Sequence, residues 1–229
     1  MAARLVPIKT AAQSKDFYTP EIEARLAREV ESPCNLVIDK LIRSGPISPE
    51  ERLRLAVYIG TMIKRVPYRR RKAMEMIPEV IEAVFANLHE GLASLAEREP
   101  SSSEAVARRL REMAALRERY LVEPPDSMVE QIRLPWVSQR LVAAIYGMTW
   151  RVVTTRGLQL FATCDNPAYY FESYGVGSEH SELVFPLSTT HAIHGSFQGR
   201  AAGLIFAEVP ERYVREFRTA NSITSRSAF

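Results

Sequence analysis

Apolar residues recur at helical spacing through the first two-thirds of the chain, in blocks that Pro, Gly and Ser separate. The first block begins at Thr19, which can cap a helix ahead of Pro20 and Glu21 in the first turn. Pro33 removes a backbone donor, so we expect it to kink or break this helix. Ser44-Gly45-Pro46 then ends the helical pattern.

The second block begins at Ser48, where Glu51 completes a capping box. Its apolar stripe consists of Leu55, Ile59, Met62, Ile63 and Val66. Pro67 interrupts this pattern, and the next helical segment is predicted from about Tyr68 to Leu95, with Pro78 inside it.

Two more helices are expected before the pattern changes. The polar connector at 99–103 leads into a helix through about Leu121. Ser127 repeats the capping pattern and predicts a helix that continues past Pro135 to about Tyr146.

β-branched and aromatic residues dominate after Gly147. Trp150–Thr154 and Leu158–Thr163 flank the turn 155–157, and this pattern predicts a β-hairpin. A third strand is expected at Glu182–Leu187, where Pro186 favours a sheet edge or a strand end. The remaining elements are short strands at 192–194 and 203–207 and a closing helix at about 210–223.

Helices followed by strands are typical of an α+β fold with segregated layers. The links between the strands are too short for crossover helices, so the sheet should be mostly antiparallel. We predict one α+β domain over 1–229, in which an N-terminal helical layer packs on a small, mostly antiparallel C-terminal sheet. Its helical part covers about 19–147, its strand-rich part about 148–208 and its C-terminal helix about 210–223.

The composition removes several classes of protein. The 229 residues are 46% hydrophobic, which suits a packed core and not a disordered chain. No apolar run approaches the roughly 18–20 residues of a membrane span, and the first ten residues lack the apolar region of a signal peptide. Two cysteines cannot form a disulfide framework, so we expect a cytoplasmic protein with reduced thiols and no membrane partner. Common short motifs of nucleotide sites, zinc proteases and esterases are absent from the sequence.

The net charge of +3 is too small to mark a nucleic-acid-binding protein, but the cations are unevenly placed. Residues 64–72 contain six Lys and Arg around Pro67. Because free backbone N–H groups at a helix start already favour anions, Arg65, Arg69 and Arg70 are candidates for anion binding. The alternative is an ordinary solvated face.

A turn rich in polar residues follows the strand at Phe161. Asp165 and Asn166 stand before Pro167, where a carboxylate could bind a divalent metal or act as a base. The alternative is a local turn in which Asp and Asn bond their own backbone. Cys164 is interpreted as a small buried thiol, because no base that would activate it can be assigned.

Three of the four histidines, His180, His191 and His194, fall within fifteen residues. The odd spacing of His191 and His194 sends their rings to opposite faces of a strand, so a shared metal is not expected there. His180 is assigned to an exposed loop.

Several motifs, taken in order, resemble those of the bacterial DUF4238 proteins, a family without an assigned function. They are Lys15-Asp16-Phe17-Tyr18, the Ser48-capped helix ending in Arg65-x-Pro67, Trp150, Phe161–Pro167 and Phe185-Pro186-Leu187-Ser188. The resemblance covers about Ser14–Ser225. The family usually has Ser where this chain has Cys164, which implies that a thiol is not its nucleophile. Its members commonly open with an H-x-x-P-x-F-Y-L strand that is not matched here, so we predict an unpaired edge on the neighbouring strand.

These residues support two hypotheses. In the first, Asp165, Asn166 and Ser188 end their strands beside His191 and face Arg65 and the basic helix start, which suits a phosphodiester substrate. The protein would then be a nucleic-acid-directed hydrolase of the toxin or phage-defence kind, using a divalent metal or a general base. In the second, Asp165 and Arg65 form a structural ion pair, and the domain binds a protein or nucleic-acid partner without catalysis. The reaction, the metal and the oligomeric state stay open.

Overall fold

A computed structural model describes residues 18–99, 103–158, 160–161, 167–170, 175–197 and 203–216. The chain divides into two compact units. Unit 1 comprises Met1–Val66 and Trp136–Phe229, and unit 2 comprises Pro67–Pro135. That the whole chain forms one domain stays a prediction.

The first described segment of unit 1 is a continuous helical segment. Helix α1, Pro20–Leu26, passes through a π-helical turn at Ala27–Glu31 into helix α2, Ser32–Ile42. Thr19 caps α1 as predicted, accepting a hydrogen bond from the backbone of Ile22. Of the kink or break predicted at Pro33, the break is wrong: the helix continues, because the wider π turn just before the proline accommodates its missing donor.

Helix α3, Pro49–Lys64, carries the predicted capping box. Ser48 Oγ accepts the backbone N–H of Glu51, and the Glu51 carboxylate accepts the backbone N–H of Ser48. The core face of α3 follows the predicted stripe, with Leu55, Ile59 and Ile63 buried.

Unit 2 contains four described helices, α4 (Pro67–Glu75), α5 (Ile77–Arg98), α6 (Ser103–Val122) and α7 (Asp126–Arg133). The single helix predicted over 68–95 is wrong, because a turn at Met76 separates α4 from α5. This places Pro78 in the first turn of α5, where a missing N–H is harmless. The predicted Ser127 cap is also wrong: α7 begins one residue earlier, after Pro125, without a side-chain cap.

Helix α8 of unit 1 spans Gln139–Gly147. The predicted continuation through Pro135 does not occur, because 134–138 is non-helical and Ser138 caps a new helix. Ser138 Oγ accepts the backbone N–H of Leu141.

A five-stranded sheet completes unit 1. Its strands are β1 (Thr149–Thr154), β2 (Tyr169–Tyr170), β3 (Glu182–Pro186), β4 (His191–Ser196) and β5 (Leu204–Glu208), arranged in the order β2-β3-β4-β1-β5. Among the described strands, the β1–β5 pairing alone is parallel, so the sheet is mostly antiparallel. Pro186 is the last residue of β3, the strand-end position that the sequence predicted.

The predicted hairpin of Trp150–Thr154 with Leu158–Thr163 is wrong. Both sides of β1 are already paired, one with β4 and the other with β5. Of the second predicted strand, Leu158 is 93% exposed, and Phe161 donates its backbone N–H to the Thr189 carbonyl, 2.8 Å away. Positions 159, 162 and 163 lie outside the described residues.

The two faces of the sheet have different coverings. Trp150, Val152 and Ile193 belong to a core that includes residues of α2, α3 and α8. The other face buries Val153 and Ala192 together with Val214, which lies in a helix at 211–216. The α+β class and the closing helix are therefore confirmed over the described residues.

Candidate functional site

An apolar cleft of about 830 Å³ lies in unit 1, between α3 and the segment 136–146. Its lining residues are Val30, Pro49, Glu50, Leu53, Val57, Thr61, Trp136, Val137, Gln139, Val142, Ala143 and Tyr146. The volume falls in the range of about 300–1,000 Å³ that is typical of ligand sites. Leu53 is 48% exposed, so part of this apolar surface faces solvent.

The sequence of α3 creates one wall of the cleft. Leu53, Val57 and Thr61 recur every four residues and lie on a different side of the helix from the buried stripe. The lining runs from Pro49 to Thr61, twelve residues apart, which corresponds to a groove about 18 Å long.

Gly60 allows the opposite wall to approach closely. A Cβ atom at this position would lie 3.2 Å from Val137 Cγ1 and 3.6 Å from Val137 Cβ. The glycine thus sets the separation between α3 and the segment that carries Trp136 and Val137.

The two ends of the cleft differ in charge. At one end, the Arg25 guanidinium, which is ion-paired with Glu29 over 2.8 Å, lies 4.4 Å from the centre of the Trp136 ring, and Lys64 Nζ donates to the Trp136 carbonyl over 2.6 Å. Burial lowers the pKa of Lys64. At the other end, a hydrogen bond from Ser48, 2.7 Å long, lowers the pKa of Glu50 and keeps that carboxyl ionised at neutral pH.

The sequence interpretation did not identify this cleft. The available signals were Leu53 and Val57, an apolar pair one turn apart that did not belong to the core stripe, and the aromatic Trp136 directly after a proline. Nothing in the sequence placed these segments, about 80 positions apart, side by side.

Ser188 and His191 are the predicted site residues that the structure brings together. Ser188 Oγ lies 3.3 Å from His191 Nδ1 and accepts the backbone N–H groups of Thr190 and His191 over 3.2 and 3.1 Å. Thr190 Oγ1 is closer to His191 Nδ1, at 2.9 Å. Burial lowers the pKa of His191. The four residues 188–191 therefore form a hydroxyl-rich turn around a neutral imidazole.

The predicted site also includes a polar turn at positions 164–166. This turn, which contains Cys164, Asp165 and Asn166, lies outside the described residues. Their roles, including the role of Asp165 as a metal ligand, stay predictions.

Arg65 lies at the end of α3 in unit 1, and its guanidinium binds the carboxylates of Glu31 and, at 3.0 Å, Glu23. An anion at Arg65 would compete with these two groups. Arg69 and Arg70 lie in α4 of unit 2, so a shared anion site with Arg65 also stays a prediction.

The histidines occupy three separate environments. His180 is exposed, with a side chain 70% accessible. His191 shares the face of Ile193 and His194 the face of Ala192, as their odd spacing predicts. No cluster of three or more metal-binding side chains occurs among the residues that the structure describes.

A polar cluster surrounds His194 on the sheet face covered by the closing helix. His194 Nε2 lies 3.6 Å from a carboxylate oxygen of Glu182, and its ring centre is 5.9 Å from that of Tyr213. Burial, with a smaller effect of Arg151, lowers the pKa of His194 although Glu182 opposes the shift. Burial and Glu182 raise the pKa of Tyr213 to about 12. Both side chains are therefore neutral at physiological pH.

Acidification is expected to destabilise the fold through His194. Because the folded-state pKa is lowered from 6.5, the unfolded chain binds a proton below pH 6.5 that the folded chain resists. The contribution of His194 to the free energy of unfolding is fully present above pH 6.5, and below that pH it falls by at most about 1.4 kcal/mol per pH unit.

Urea unfolding at pH 7.5 and at pH 5.5 measures this effect. Between the two pH values, His194→Gln should lose less of its free energy of unfolding than the wild-type chain does. The control His180→Gln should behave like wild type, and equal losses in all three proteins would contradict this role.

The fold and the cleft together define an α+β protein with an apolar groove between helices of unit 1. The family profile described as "Protein of unknown function (DUF4238)" matches residues 2–227. The chain therefore belongs to the DUF4238 family, which confirms the resemblance seen in its motifs. Searches of curated proteins and of solved structures found no match.

Among the helices described, none combines the length and the apolar character that a membrane-spanning helix requires.

Proposed function

We propose that the protein is a non-catalytic binding module that holds an amphipathic helix of a partner protein in the cleft of unit 1. The observation that carries this proposal is the 830 Å³ cleft with its apolar and aromatic lining. Grooves of this kind accept helices through anchor side chains repeated every three or four residues.

The dimensions and chemistry of the cleft favour a helix over a nucleic acid. A groove about 18 Å long matches three turns of helix. Among the described lining residues Glu50 is the one that carries a charge, so the walls of the groove offer no row of cations to a phosphate backbone. Arg25 and Lys64 lie only at the Trp136 end. A partner helix would bury one apolar stripe against Leu53, Val57 and Trp136.

The charges at the two ends favour one direction for the bound helix. A helix carries partial positive charge at its N-terminus and partial negative charge at its C-terminus. The N-terminus should therefore lie near Glu50, and the C-terminus near Lys64 at the Trp136 end, where the charge of Arg25 is already paired with Glu29.

In this proposal Arg65 is structural. Its ion pair with Glu31 ties the end of α3 to the π-helical turn, which also contains the cleft residue Val30. Its contact with Glu23 ties the same point to α1. Arg65 thus holds the wall of the cleft in place.

Two synthetic helices test the proposal with the full-length chain. One is a 14-residue peptide of Ala, Leu and Lys whose leucines form a single stripe, and the other has the same composition with its leucines dispersed. We expect the striped peptide alone to bind and to change the fluorescence of Trp136. Because Trp150 is fully buried, a Trp136→Phe variant should lose this signal while retaining binding in calorimetry.

Matched variants locate the binding. Leu53→Asp should weaken binding of the striped peptide at least tenfold, whereas Leu36→Asp, at a position 69% exposed and outside the lining, should leave it unchanged. Equal binding of both peptides, or equal effects of both substitutions, would contradict the proposal.

A second candidate is the nucleic-acid-directed hydrolase, in a toxin or phage-defence setting and in the cytoplasm. It is supported by the 3.3 Å approach of Ser188 Oγ to His191 Nδ1, with Asp165 proposed to hold a divalent metal or to act as a base. Its test is incubation with labelled RNA and DNA, with and without Mg²⁺ or Mn²⁺, beside Asp165→Ala and Ser188→Ala. Cleavage that both variants abolish would support it, and no cleavage under any condition would exclude it.

A further inference from the structure

The first helical segment of unit 1 contains a π-helical turn at Ala27–Glu31, just ahead of Pro33. At this turn the backbone N–H of Ser32 donates to the carbonyl of Ala27, five residues back, whereas an α-helix uses the carbonyl four residues back. Single π-helical turns inside α-helices are rare and occur frequently at functional sites. This turn adjoins the cleft, because it contains Val30, which belongs to the lining.

Pro33 accounts for the winding of this turn. In a regular α-helix the proline ring would clash with the carbonyl of Glu29, four residues back, and that carbonyl would have no donor. A turn that takes in one more residue relieves the clash, so the proline favours the π form over the α form. Alanine at position 33 would remove this preference, since alanine has the highest α-helix propensity of all residues.

The extra residue in the turn also changes which side chains of the segment face α3. Glu23 and Glu31 are eight positions apart, which in a regular α-helix separates their directions by about 80°. One additional residue in a turn reduces this separation to about 20°. Both carboxylates accordingly bind the guanidinium of Arg65 at the end of α3.

The same winding orients α1 toward the Trp136 end of the cleft, where the Arg25 guanidinium lies 4.4 Å from the centre of the indole ring. Helix α2 is held in the core of unit 1. If the turn rewound to a regular α-helix while α2 stayed in place, α1 would rotate by about 100° around its axis. Arg25 would then leave the Trp136 ring, and Glu23 would leave Arg65. The shape of this end of the groove therefore depends on the turn.

We infer that Pro33 is a positioning residue of the cleft: it maintains the π-helical turn, and the turn sets the Trp136 end of the groove for the partner helix. This inference rests on the proposed function, because it takes the groove as the binding site. Pro33 does not itself line the cleft, so its effect on binding passes through Val30 and Arg25.

Two variants of the full-length chain separate this role from a general loss of stability. Pro33→Ala should weaken binding of the striped peptide about tenfold in calorimetry, because α1 turns away from the groove. Pro33→Ala combined with deletion of Arg28, an exposed residue of the turn, should restore the affinity to within about twofold. The reason is that a regular α-helix one residue shorter returns α1 to its original direction. The control Pro78→Ala, in the first turn of α5 in unit 2, should leave binding unchanged.

The fluorescence emission of Trp136 tests the same rotation without the peptide. It is taken, in each background, as the difference from a chain that also carries Trp136→Phe. This emission should change in Pro33→Ala, where the Arg25 guanidinium leaves the ring, and should return to the wild-type value in the combined variant. If the wild-type chain binds no peptide, the proposed function fails, and the emission still decides whether Pro33 positions this end of the cleft. Wild-type affinity and emission in Pro33→Ala, or a combined variant that recovers neither, would overturn the inference.

Discussion

Replacement of Arg52 by alanine is expected to destabilise unit 1 by about 3–5 kcal/mol. The side chain of Arg52 is only 9% exposed, and its guanidinium donates hydrogen bonds to the carbonyls of Tyr146, Met148 and Gly203. It also lies 4.1 Å from the centre of the Trp150 ring. Alanine would remove the donor to the carbonyls of Tyr146 and Met148, would leave the Gly203 carbonyl with only the backbone N–H of Trp150, and would open a cavity beside the indole.

Arg52 has this effect because it joins four elements. It comes from α3 and reaches the end of α8, the residue before β1 and the residue before β5. Lysine offers a point charge in place of the planar fork, so Arg52→Lys should recover only part of the loss.

Urea unfolding followed by tryptophan fluorescence measures the effect in unit 1, because both tryptophans of the chain, Trp136 and Trp150, lie in that unit. The control is Arg54→Ala, an exposed arginine two residues further along α3, which should change the free energy of unfolding by less than about 0.5 kcal/mol. A loss below about 1 kcal/mol for Arg52→Ala would show that the guanidinium does not join these elements.

Gly195→Val should be the second most damaging substitution, with a loss of about 3 kcal/mol. Gly195 lies in β4 between Trp150 of β1 and Leu183 of β3. A Cβ atom there would lie 2.9 Å from Met148 Sδ and 3.7 Å from Leu183 Cβ, and Met148 is fully buried. The added methyl groups therefore have no space unless Met148 moves.

A double variant tests this explanation. Met148→Ala alone should destabilise unit 1 by about 2–4 kcal/mol, but it should vacate the space that a valine side chain at position 195 needs. The combined variant should therefore be more stable than the sum of the two single losses predicts. Strict additivity would show that the glycine is needed for another reason.

Local signals in the sequence predicted local structure well. The capping box of Ser48 and Glu51, the Thr19 cap and the position of Pro186 at a strand end each depend on neighbours within a few residues. Other local predictions were wrong, among them the Ser127 cap and the single helix over 68–95, and the strand pairing was wrong because distant segments decide it. The expected hairpin is absent because β1 is paired by β4 and β5, which follow it by about 40 and 50 positions.

The candidate site shows the same division. The contact between Ser188 and His191 joins residues three positions apart, so it could be predicted from the sequence. The partners of Arg65 could not be predicted in this way, because Glu31 and Glu23 lie 34 and 42 positions away. The cleft was missed for the same reason: each of its walls resembles an ordinary amphipathic helix until α3 and α8 are seen together.

The stability predictions and the proposed function concern the same part of the molecule. Arg52 holds the carbonyl of Tyr146, whose side chain lines the cleft, and it extends from the helix that forms the other wall. Variants at Arg52 should therefore weaken peptide binding as well as stability. Variants at Ser188, which does not line the cleft, should leave peptide binding unchanged.

Hydrogen–deuterium exchange of the full-length chain, with and without the striped helical peptide, tests the central claim most directly. We expect slower exchange in 49–64 and 139–147, the helices that form the two walls of the cleft, and unchanged exchange in β3, β4 and the turn 188–191. Protection confined to the sheet and that turn, with both cleft helices unaffected, would contradict it.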